Sequence, residues 1–310
     1  MRKILVTGGA GFIGSCLAEK LIQDPENFVI IFDNLSTGFS SKLPDSKQKN
    51  WRFVKGDCNN YRDIAEVMLA YHFDFVFHYA AVVGVQRTQA NPCHVLNDLE
   101  GFRNILNISK STSIKRIFFA SSSEVYGEPV SFPQNEITTP LNSRVPYAVV
   151  KNVGEAFLRS YHKEYDLQYT IFRFFNTYGP KQSKDFVISR FIDMAIHNKP
   201  ITIYGDGSQT RTFCYIDDNI DACYRAAEDN LFINEVVNIG NDNETSVLDL
   251  AKTIIKLTNS KSEIVHLPPL KEGDMSRRLP DITNMKTLLN RPLTSLETGI
   301  NNILHHPLWQ

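Results

Sequence analysis

The chain has 310 residues, of which 42% are hydrophobic, and its 33 basic and 34 acidic side chains give a formal net charge of −1. A net charge so close to zero predicts no general attraction to nucleic acid or to a membrane surface, and no apolar run reaches the about 18 residues of a membrane span. The five cysteines lack metal-ligand spacing and the first residues already form a strand, so we expect no metal site, no signal peptide and a cytoplasmic protein with reduced thiols.

The N-terminal segment predicts a strand, a glycine turn and a helix. Ile4 to Val6 is a short apolar run typical of a buried parallel strand, Thr7 to Gly11 turns tightly, and an amphipathic helix follows. The spacing of Gly8, Gly11 and Gly14 lets the backbone turn and lets a diphosphate approach it. The first helical amides and the helix dipole would then face the phosphates. The segment therefore predicts a dinucleotide site, with an ordinary strand-turn-helix as the alternative.

The second predicted strand, Val29 to Phe32, ends in an acid, Asp33. A carboxylate at this position suits the two ribose hydroxyls of adenosine and repels a 2′-phosphate, which favours NAD over NADP. Serines and a lysine within residues 36–42 could hold a phosphate, so NADP stays open as the less favoured cofactor.

Strands continue to alternate with helices, which predicts a doubly wound parallel sheet of the Rossmann type. Asp57 follows the third strand and could accept a hydrogen bond from the adenine amino group. Ala80 and Ala81 follow the fourth strand and leave room for a ribose or nicotinamide, and His78 is predicted to be a packed or hydrogen-bonded histidine. The further strands and helices are predicted at Arg52 to Lys55, Phe73 to Phe77, Arg116 to Ala120, Gln168 to Phe174, Pro92 to Ser111 and Pro146 to Tyr165.

The pattern changes after Gly179 and Pro180, where helices alternate with shorter strands. The chain length suits one α/β domain of about 200–250 residues and a smaller lobe. We therefore predict a cofactor-binding domain over residues 1–180 and a smaller α/β substrate lobe over residues 181–310, between which the chain crosses more than once. The lobe's elements are predicted at Phe186 to Asn198, Ile201 to Ile203, Thr212 to Tyr215, Asp217 to Asn230, Val236 to Ile239 and Ser246 to Asn259.

Three side chains form a candidate catalytic group. Tyr147 and Lys151 lie four residues apart and therefore on one face of a helix. A lysine ammonium favours the phenolate form of a nearby tyrosine, which makes Tyr147 a plausible base for a hydroxyl whose carbon gives hydride to NAD. Ser122, at the end of the fifth strand, supplies a hydroxyl that could orient the substrate oxygen.

Together these segments resemble the extended short-chain dehydrogenase/reductases, and more narrowly their nucleotide-sugar epimerase, dehydratase and decarboxylase branch. The resemblance runs from Lys3 to about Ile300 and is carried by TGGAGFIG at 7–14, Asp33, the Tyr147 and Lys151 pair, FNTYGP at 175–180 and YGDGSQTRTF at 204–213. It implies bound NAD in residues 1–180, a UDP-sugar substrate in residues 181–310, and a homodimer formed by the two long helices.

The resemblance also implies roles for individual residues. Ser122, Tyr147 and Lys151 match the family's catalytic triad, and Asp98 stands where many relatives have Asn. The candidate cofactor contacts are Gly8, Gly11, Phe12, Ile13, Asp33, Asn34, Asp57, Cys58, Ala80, Ala81, Tyr147 and Lys151. The candidate substrate contacts are Val85, Asn176, Arg190, Tyr204, Arg211 and Arg278.

Glu124 and Ser123 bear on the reaction. Relatives that work at C5 and C6 usually have Glu at the position of Glu124, where a carboxylate can remove the C5 proton once C4 is a ketone. Ser123 replaces the Asp of standard 4,6-dehydratases. UDP-glucuronate decarboxylases share the Ser-Glu pair but have a longer loop after Gly-Pro, and the short loop is similar to that of UDP-N-acetylglucosamine 5,6-dehydratases.

The expected function is therefore NAD-dependent modification of a UDP-hexose, of N-acetylhexosamine type, with chemistry at C5 and C6 by Ser123 and Glu124. Dehydration, processing of a 5,6-ene sugar and decarboxylation stay open. A UDP-sugar 4-epimerase is the alternative, and a non-catalytic NAD(P)-binding regulator is the alternative of another class.

Overall fold

The computed structural model of the chain describes residues 1–45, 47–268 and 277–309, with the side chains of all of these except Val85 and Gln86. The strands are β1 (Arg2–Thr7), β2 (Asn27–Asp33), β3 (Trp51–Lys55), β4 (Phe75–His78), β5 (Arg116–Ser122), β6 (Tyr169–Phe174), β7 (Thr177–Tyr178), β8 (Ile201–Tyr204), β9 (Thr210–Thr212), β10 (Cys214–Tyr215), β11 (Glu235–Ile239), β12 (Glu244–Ser246) and β13 (Ile264–Leu267). The helices are α1 (Phe12–Leu21), α2 (Tyr61–Tyr71), α3 (Val85–Ala90), α4 (Pro92–Leu96), α5 (Asp98–Ser109), α6 (Pro146–Tyr165), α7 (Val187–Ile196), α8 (Ile216–Glu228), α9 (Val247–Thr258), α10 (Thr283–Leu288) and α11 (Leu296–Leu304).

The main sheet confirms the predicted Rossmann-type architecture. Its strand order is β11-β6-β5-β4-β1-β2-β3, and the six strands β1 to β6 pair in parallel register. The order reverses between β1 and β4, which is the point where doubly wound sheets bind ligands beyond the carboxyl ends of their strands. The residues that follow β1 and β4 are Gly8 and Tyr79 to Ala81, so both loops flank this point.

The strand residues are apolar in unbroken runs because both faces of the sheet are covered. Ile4, Leu5 and Val6 of β1 are fully buried, and one face packs against α2, α5 and α6. Burying a side chain of this size contributes about 1.5–3 kcal/mol. The sheet is thus a rigid support for the loops at its carboxyl edge.

Helix α6 has the bounds that the sequence predicts, with Pro146 at its first position and Asp166 in the left-handed conformation that ends it. The predicted helix over Pro92 to Ser111 is divided into α4 and α5. At Asn97 the backbone N–H bonds the carbonyl of His94, three residues earlier, so the α-helical pattern is interrupted there.

The described chain divides into two compact units. Unit 1 contains the described residues of 1–127, 141–174 and 220–237, and unit 2 contains the described residues of 128–140, 175–219 and 238–310. Unit 2 contains the small sheets β7/β10, β8/β13 and β9/β12. The predicted division of cofactor and substrate binding at residue 180 stays a prediction.

Strand β11 differs from the sequence expectation. The sequence pattern places this strand in the C-terminal lobe, whereas the structure adds it to the main sheet beside β6. Its physical effect is to satisfy backbone groups that β6 would otherwise present at an open edge. The predicted strand over Thr212 to Tyr215 is likewise two short strands, β9 and β10, which pair with different partners. No helix within the described ranges is long and apolar enough to cross a membrane.

Candidate active site

The turn after β1 forms a close backbone cradle. Gly8 has a φ of +68°, and a Cβ on it would lie 2.6 Å from the backbone nitrogen of Ala80. A Cβ on Gly14 would lie 2.4 Å from the Gly8 carbonyl oxygen. Helix α1 begins next to this turn with Gly11 as its N-cap, which offers no side chain to the first amides. The turn therefore fits a dinucleotide diphosphate, because its glycines carry no side chain over their own backbone amides and the dipole of α1 favours negative charge there.

The half-buried side chains of Phe12 and Ile13 open the first turn of this helix. Next to it, the Asp33 carboxylate is buried at the end of β2, where it accepts hydrogen bonds from the backbone of Ala10 at 3.0 Å and of Leu35 at 2.8 Å. These bonds hold the acid beside the glycine turn, which is the position that suits an adenosine ribose.

Asn34 and Asp57 are brought together beyond β2 and β3. The Asn34 amide donates to the Asp57 carboxylate at 3.1 Å, and the same carboxylate accepts from the backbone of Asn59 at 2.9 Å. The neighbouring Cys58 is buried, and burial together with the charge of Asp57 raises the pKa of its thiol. The Cys58 thiol is therefore neutral and packed here.

The end of β4 is tied to β1 through one hydroxyl. Thr7 Oγ1 lies 2.8 Å from Nδ1 of His78 and accepts from the backbone of Tyr79 and Ala80 at 3.2 and 3.3 Å. His78 is buried, and burial and the charge of Lys151 lower its pKa to about 3, so the imidazole is neutral. His78 is thus the hydrogen-bonded histidine that the sequence predicts, and Thr7 is a positioning residue that sequence reasoning missed.

Beyond Ala80, Ala81 is half-buried, and Val85 begins α3. The side chain of Val85 lies outside the described residues.

The turn after β5 carries three of the predicted catalytic residues. Ser122 caps a short 3₁₀ turn over Ser123–Tyr126, and its Oγ accepts from the backbone of Glu124 at 3.2 Å. Ser122 and Ser123 are buried, while Glu124 is half-buried. The turn closes at Gly127, whose φ is +60° and on which a Cβ would lie 2.0 Å from the Asn142 carbonyl oxygen. Glycine is therefore required at this position.

Helix α6 brings Tyr147 and Lys151 to the same edge. Lys151 donates from Nζ to the carbonyl oxygen of Ala120 at 2.7 Å, and its Nζ lies 5.7 Å from the centre of the Tyr147 ring. Burial lowers the pKa of Lys151 to about 8, so the ammonium is charged at neutral pH. A buried cation beside a phenol favours the phenolate, which is the form a general base needs.

Asp98 gives Lys151 a carboxylate neighbour. It accepts from the backbone of Val82 at 2.8 Å, and partial burial raises its pKa against the opposing effect of this bond and of the Lys151 charge. The negative charge of Asp98 raises the pKa of Lys151 against the effect of burial. Asp98 therefore helps to keep Lys151 protonated.

The predicted substrate residues that follow Phe174 lie in unit 2. Asn176 has a φ of +35° and donates to the carbonyl oxygen of Thr212 at 3.1 Å, which joins it to the strand of Arg211. Tyr204 ends β8, and Arg278 is buried. On α7, Nε of Arg190 is buried without a hydrogen-bond partner in the part of the chain that is described. A buried guanidinium nitrogen in this state suits an anionic ligand.

Across residues 1–45, 47–268 and 277–309, no group of three or more His, Cys, Asp and Glu side chains is placed to hold a metal ion.

Comparison with known proteins adds family membership. The model of the NAD dependent epimerase/dehydratase family matches residues 4–240. The chain is 35% identical over 310 residues to an uncharacterized UDP-glucose epimerase, YtcB, of Bacillus subtilis, covering 97% of this chain and 96% of the relative. It is also 35% identical over 318 residues to the UDP-N-acetyl-α-D-glucosaminuronate decarboxylase of Bacillus cytotoxicus, covering 98% and 97%.

Structural similarity is equally extensive. The UDP-glucose 4-epimerase of Thermotoga maritima, crystallised with UDP-glucose, superimposes with a TM-score of 0.91 at 33% identity, and each chain covers 97% of the other. The expected NAD cofactor and the resemblance to extended short-chain dehydrogenase/reductases are thereby confirmed. The chain belongs to the NAD-dependent epimerase/dehydratase family of enzymes.

Proposed function

We propose that the chain modifies a UDP-hexose, of N-acetylhexosamine type, by transient oxidation at C4 followed by proton chemistry at C5 and C6. The observation that carries the proposal is the carboxylate of Glu124 on the turn that Ser122 caps, two residues beyond the serine. The similarity to a decarboxylase of a UDP-N-acetylhexosaminuronate supports this class of substrate and chemistry.

In this proposal the residues of unit 1 divide the chemistry. Tyr147, as phenolate, accepts the proton of the C4 hydroxyl, and Ser122 orients that oxygen. Bound NAD supplies the acceptor, and later the donor, of the C4 hydride. Glu124 then removes or returns the C5 proton, with Ser123 beside it, because a C4 ketone makes that proton acidic.

The electron pair left at C5 gives an enolate with two outcomes. It either expels the C6 hydroxyl, which takes up a proton and leaves as water, or is protonated again at C5. A C6 carboxylate is instead lost as CO₂ with the C5–H bond intact, and the electron pair of the broken C5–C6 bond gives a different C4–C5 enolate, which takes a solvent proton at C5. Each course ends with a solvent proton at C5 or with a 5,6-alkene. The hydride returns to C4, so no NAD is consumed overall and a tightly held cofactor is expected.

Binding roles complete the proposal. The diphosphate and uracil of the substrate are assigned to residues whose side chains suit anions or a planar ring, and Val85 stays a predicted substrate contact. These residues are Asn176, Arg190, Tyr204, Arg211 and Arg278. The cofactor is assigned to Gly8, Gly11, Phe12, Ile13, Asp33, Asn34, Asp57, Cys58, Ala80 and Ala81, together with Tyr147 and Lys151. The homodimer and the cytoplasmic location stay predictions.

The proposed function is tested by product NMR. The enzyme is incubated in D₂O with UDP-N-acetylglucosamine, UDP-glucuronate and UDP-glucose in separate samples. Deuterium at C5, loss of CO₂ or a 5,6-alkene supports the proposal. Inversion at C4 with protium retained at C5 would identify a UDP-sugar 4-epimerase instead, in line with the epimerase relatives. Bound cofactor without turnover of any of the three sugars would favour a regulator.

Glu124→Gln tests the residue directly. We expect deuterium entry at C5 to fall about 10²-fold or more, since a positioned general base contributes about 10²- to 10⁴-fold. Glu128→Gln, an exposed acid shortly after the turn, serves as the matched control and should retain the wild-type rate. Full turnover at C5 and C6 in the Glu124 variant would exclude the carboxylate as the base.

Asp33→Asn tests the cofactor preference. The amide oxygen of the variant can still accept a hydrogen bond from Ala10, but the negative charge is lost. We therefore expect the affinity for NAD to fall about 10-fold and the ratio of the dissociation constants for NADP and NAD to decrease. Titration of the cofactor-free enzyme with NAD and with NADP gives the two dissociation constants. Asp45→Asn, in an exposed loop, is the control. An unchanged ratio of the two dissociation constants would show that Asp33 does not distinguish a ribose hydroxyl from a 2′-phosphate.

A further inference from the structure

Helix α6 and β6 share a buried ion pair that the proposed chemistry does not use. Glu155, one helical turn after Lys151, and Arg173 are 0% and 1% exposed. Nε and Nη2 of Arg173 donate to the two carboxylate oxygens of Glu155 at 2.9 and 2.8 Å. Charged side chains are almost never buried so completely unless they are paired. The bidentate geometry fixes both side chains relative to each other.

Two hydrogen bonds connect this pair to the turn after β5. Ser121 donates from Oγ to Glu155 at 2.7 Å, and Nη1 of Arg173 donates to the hydroxyl of Tyr126 at 2.8 Å. The Arg173 guanidinium also lies 4.8 Å from the centre of the Tyr126 ring. Ser121 and Tyr126 stand on either side of Ser122 to Glu124. The pair therefore holds the catalytic turn at both of its ends.

Both members of the pair stay charged. Burial opposes ionisation of Glu155, but hydrogen bonds from Arg173 and Ser121 and the charge of Arg173 lower its pKa overall. Despite burial, the bonds to Glu155 raise the pKa of Arg173. Arg159 adds a third donor to Glu155 at 2.9 Å from the half-exposed side of the helix. Because desolvation offsets most of the attraction within a buried pair, stability alone gives little reason to keep one.

We propose that the Glu155–Arg173 pair, through Ser121 and Tyr126, is a positioning device that sets the Ser122–Glu124 turn against the face of α6 that carries Tyr147 and Lys151. Helix α6 packs directly on this turn, so a shift of the turn changes the distance between Glu124 and the Tyr147 hydroxyl. The inference rests on the proposed function, in which these two groups act on one sugar. Tyr126 is then a positioning residue and not a catalytic one.

Tyr126→Phe tests the device, because it keeps the buried ring and removes only the hydroxyl. Two rates are measured on the holoenzyme with the sugar that the wild type turns over: deuterium entry at C5, and transient reduction of bound NAD at 340 nm. We expect C5 exchange to fall about 10-fold or more, since a displacement of about 1 Å can cost about 10²-fold. Reduction of NAD and KM should stay within about threefold of the wild type.

A merely structural role would instead lower both rates together or neither. The control is Tyr161→Phe on α6, which removes a hydroxyl that donates to Asn107 of α5 at 2.8 Å and should change neither rate. Should Tyr126→Phe fail to fold, Ser121→Ala removes the other hydrogen bond between the pair and the turn, and the same two rates are measured. Unchanged C5 exchange in the folded variants overturns the positioning role.

Failure of the proposed function gives a different result. In that case the wild type inverts C4 without deuterium entry at C5. The positioning role, which concerns the C5 chemistry of Glu124, is then overturned together with the proposed function. Failure of the positioning role alone leaves deuterium entry at C5 in the wild type and the same rate of entry in Tyr126→Phe.

Discussion

Replacing Tyr147 with phenylalanine is expected to lower kcat by about 10²- to 10⁴-fold, the range that a positioned general base contributes. The phenol lies on the face of α6 whose Lys151 ammonium is 5.7 Å from its ring centre, and the variant removes only the oxygen. The ring is retained, so we expect the fold to be unchanged and the affinity for NAD, to which Tyr147 is also assigned, to fall much less than kcat. Steady-state kinetics and a cofactor titration on the same preparation separate the two effects.

Tyr161→Phe is the matched control for this experiment. Tyr161 lies on the same helix and loses one surface hydrogen bond, so its kcat should equal that of the wild type. A Tyr147 variant that retains more than about a tenth of the wild-type kcat would show that another group takes the hydroxyl proton.

Lys151→Met is expected to lower kcat on the order of 10²- to 10³-fold, because the variant loses the buried cation that stabilises the Tyr147 phenolate. In the wild type the same requirement predicts that activity falls as the pH rises through about 8, where Lys151 loses its proton. Lys163→Met, an exposed lysine of α6, is the control and should keep the wild-type pH profile. A wild-type profile that stays flat to pH 10 would contradict the role of the ammonium.

The buried Lys151 also predicts how the stability of the protein depends on pH. Burial lowers the pKa of Lys151 from 10.5 to about 8, so between these values the unfolded chain holds a proton that the folded chain lacks. The free energy of unfolding of the wild type should therefore rise with pH over this window, by about 3 kcal/mol. Below pH 8 the folded chain buries a charged Lys151, so the full destabilisation is present there. Denaturant titrations from pH 7 to 10.5 should show this rise in the wild type and not in Lys151→Met.

Much of the fold could be predicted because the signals are local. The proline at the start of α6 and the polar residues after Tyr165 fix a helix whose observed bounds equal the predicted ones. Strand β11 could not be placed in the same way, since five apolar-rich residues cannot indicate which of two sheets they join. Its place is decided by the open edge of β6, more than 60 residues earlier in the chain. The break at Asn97 depends on a single hydrogen-bond shift that periodicity does not register.

In the candidate site, too, residues marked by local sequence could be predicted, whereas contacts between distant residues could not. Gly8, Asp33 and the Tyr147–Lys151 spacing could be identified because each sits next to a recognisable strand or helix end. The Glu155–Arg173 pair could not, because its members are 18 positions apart and the pair reaches Tyr126 across 47 positions. Charged residues at such separations are usually solvated, and only the packed structure shows that these two are buried together.

The position of β11 has a consequence for synthesis of the protein. The nascent chain cannot complete its main sheet until residue 239 has emerged from the ribosome, although the other six strands are available by residue 174. Until then β6 remains an unpaired edge, which other extended segments can join. A fragment that stops at residue 180 would carry the same exposed edge permanently. Expression of residues 1–180 alone should therefore give aggregates rather than monomers.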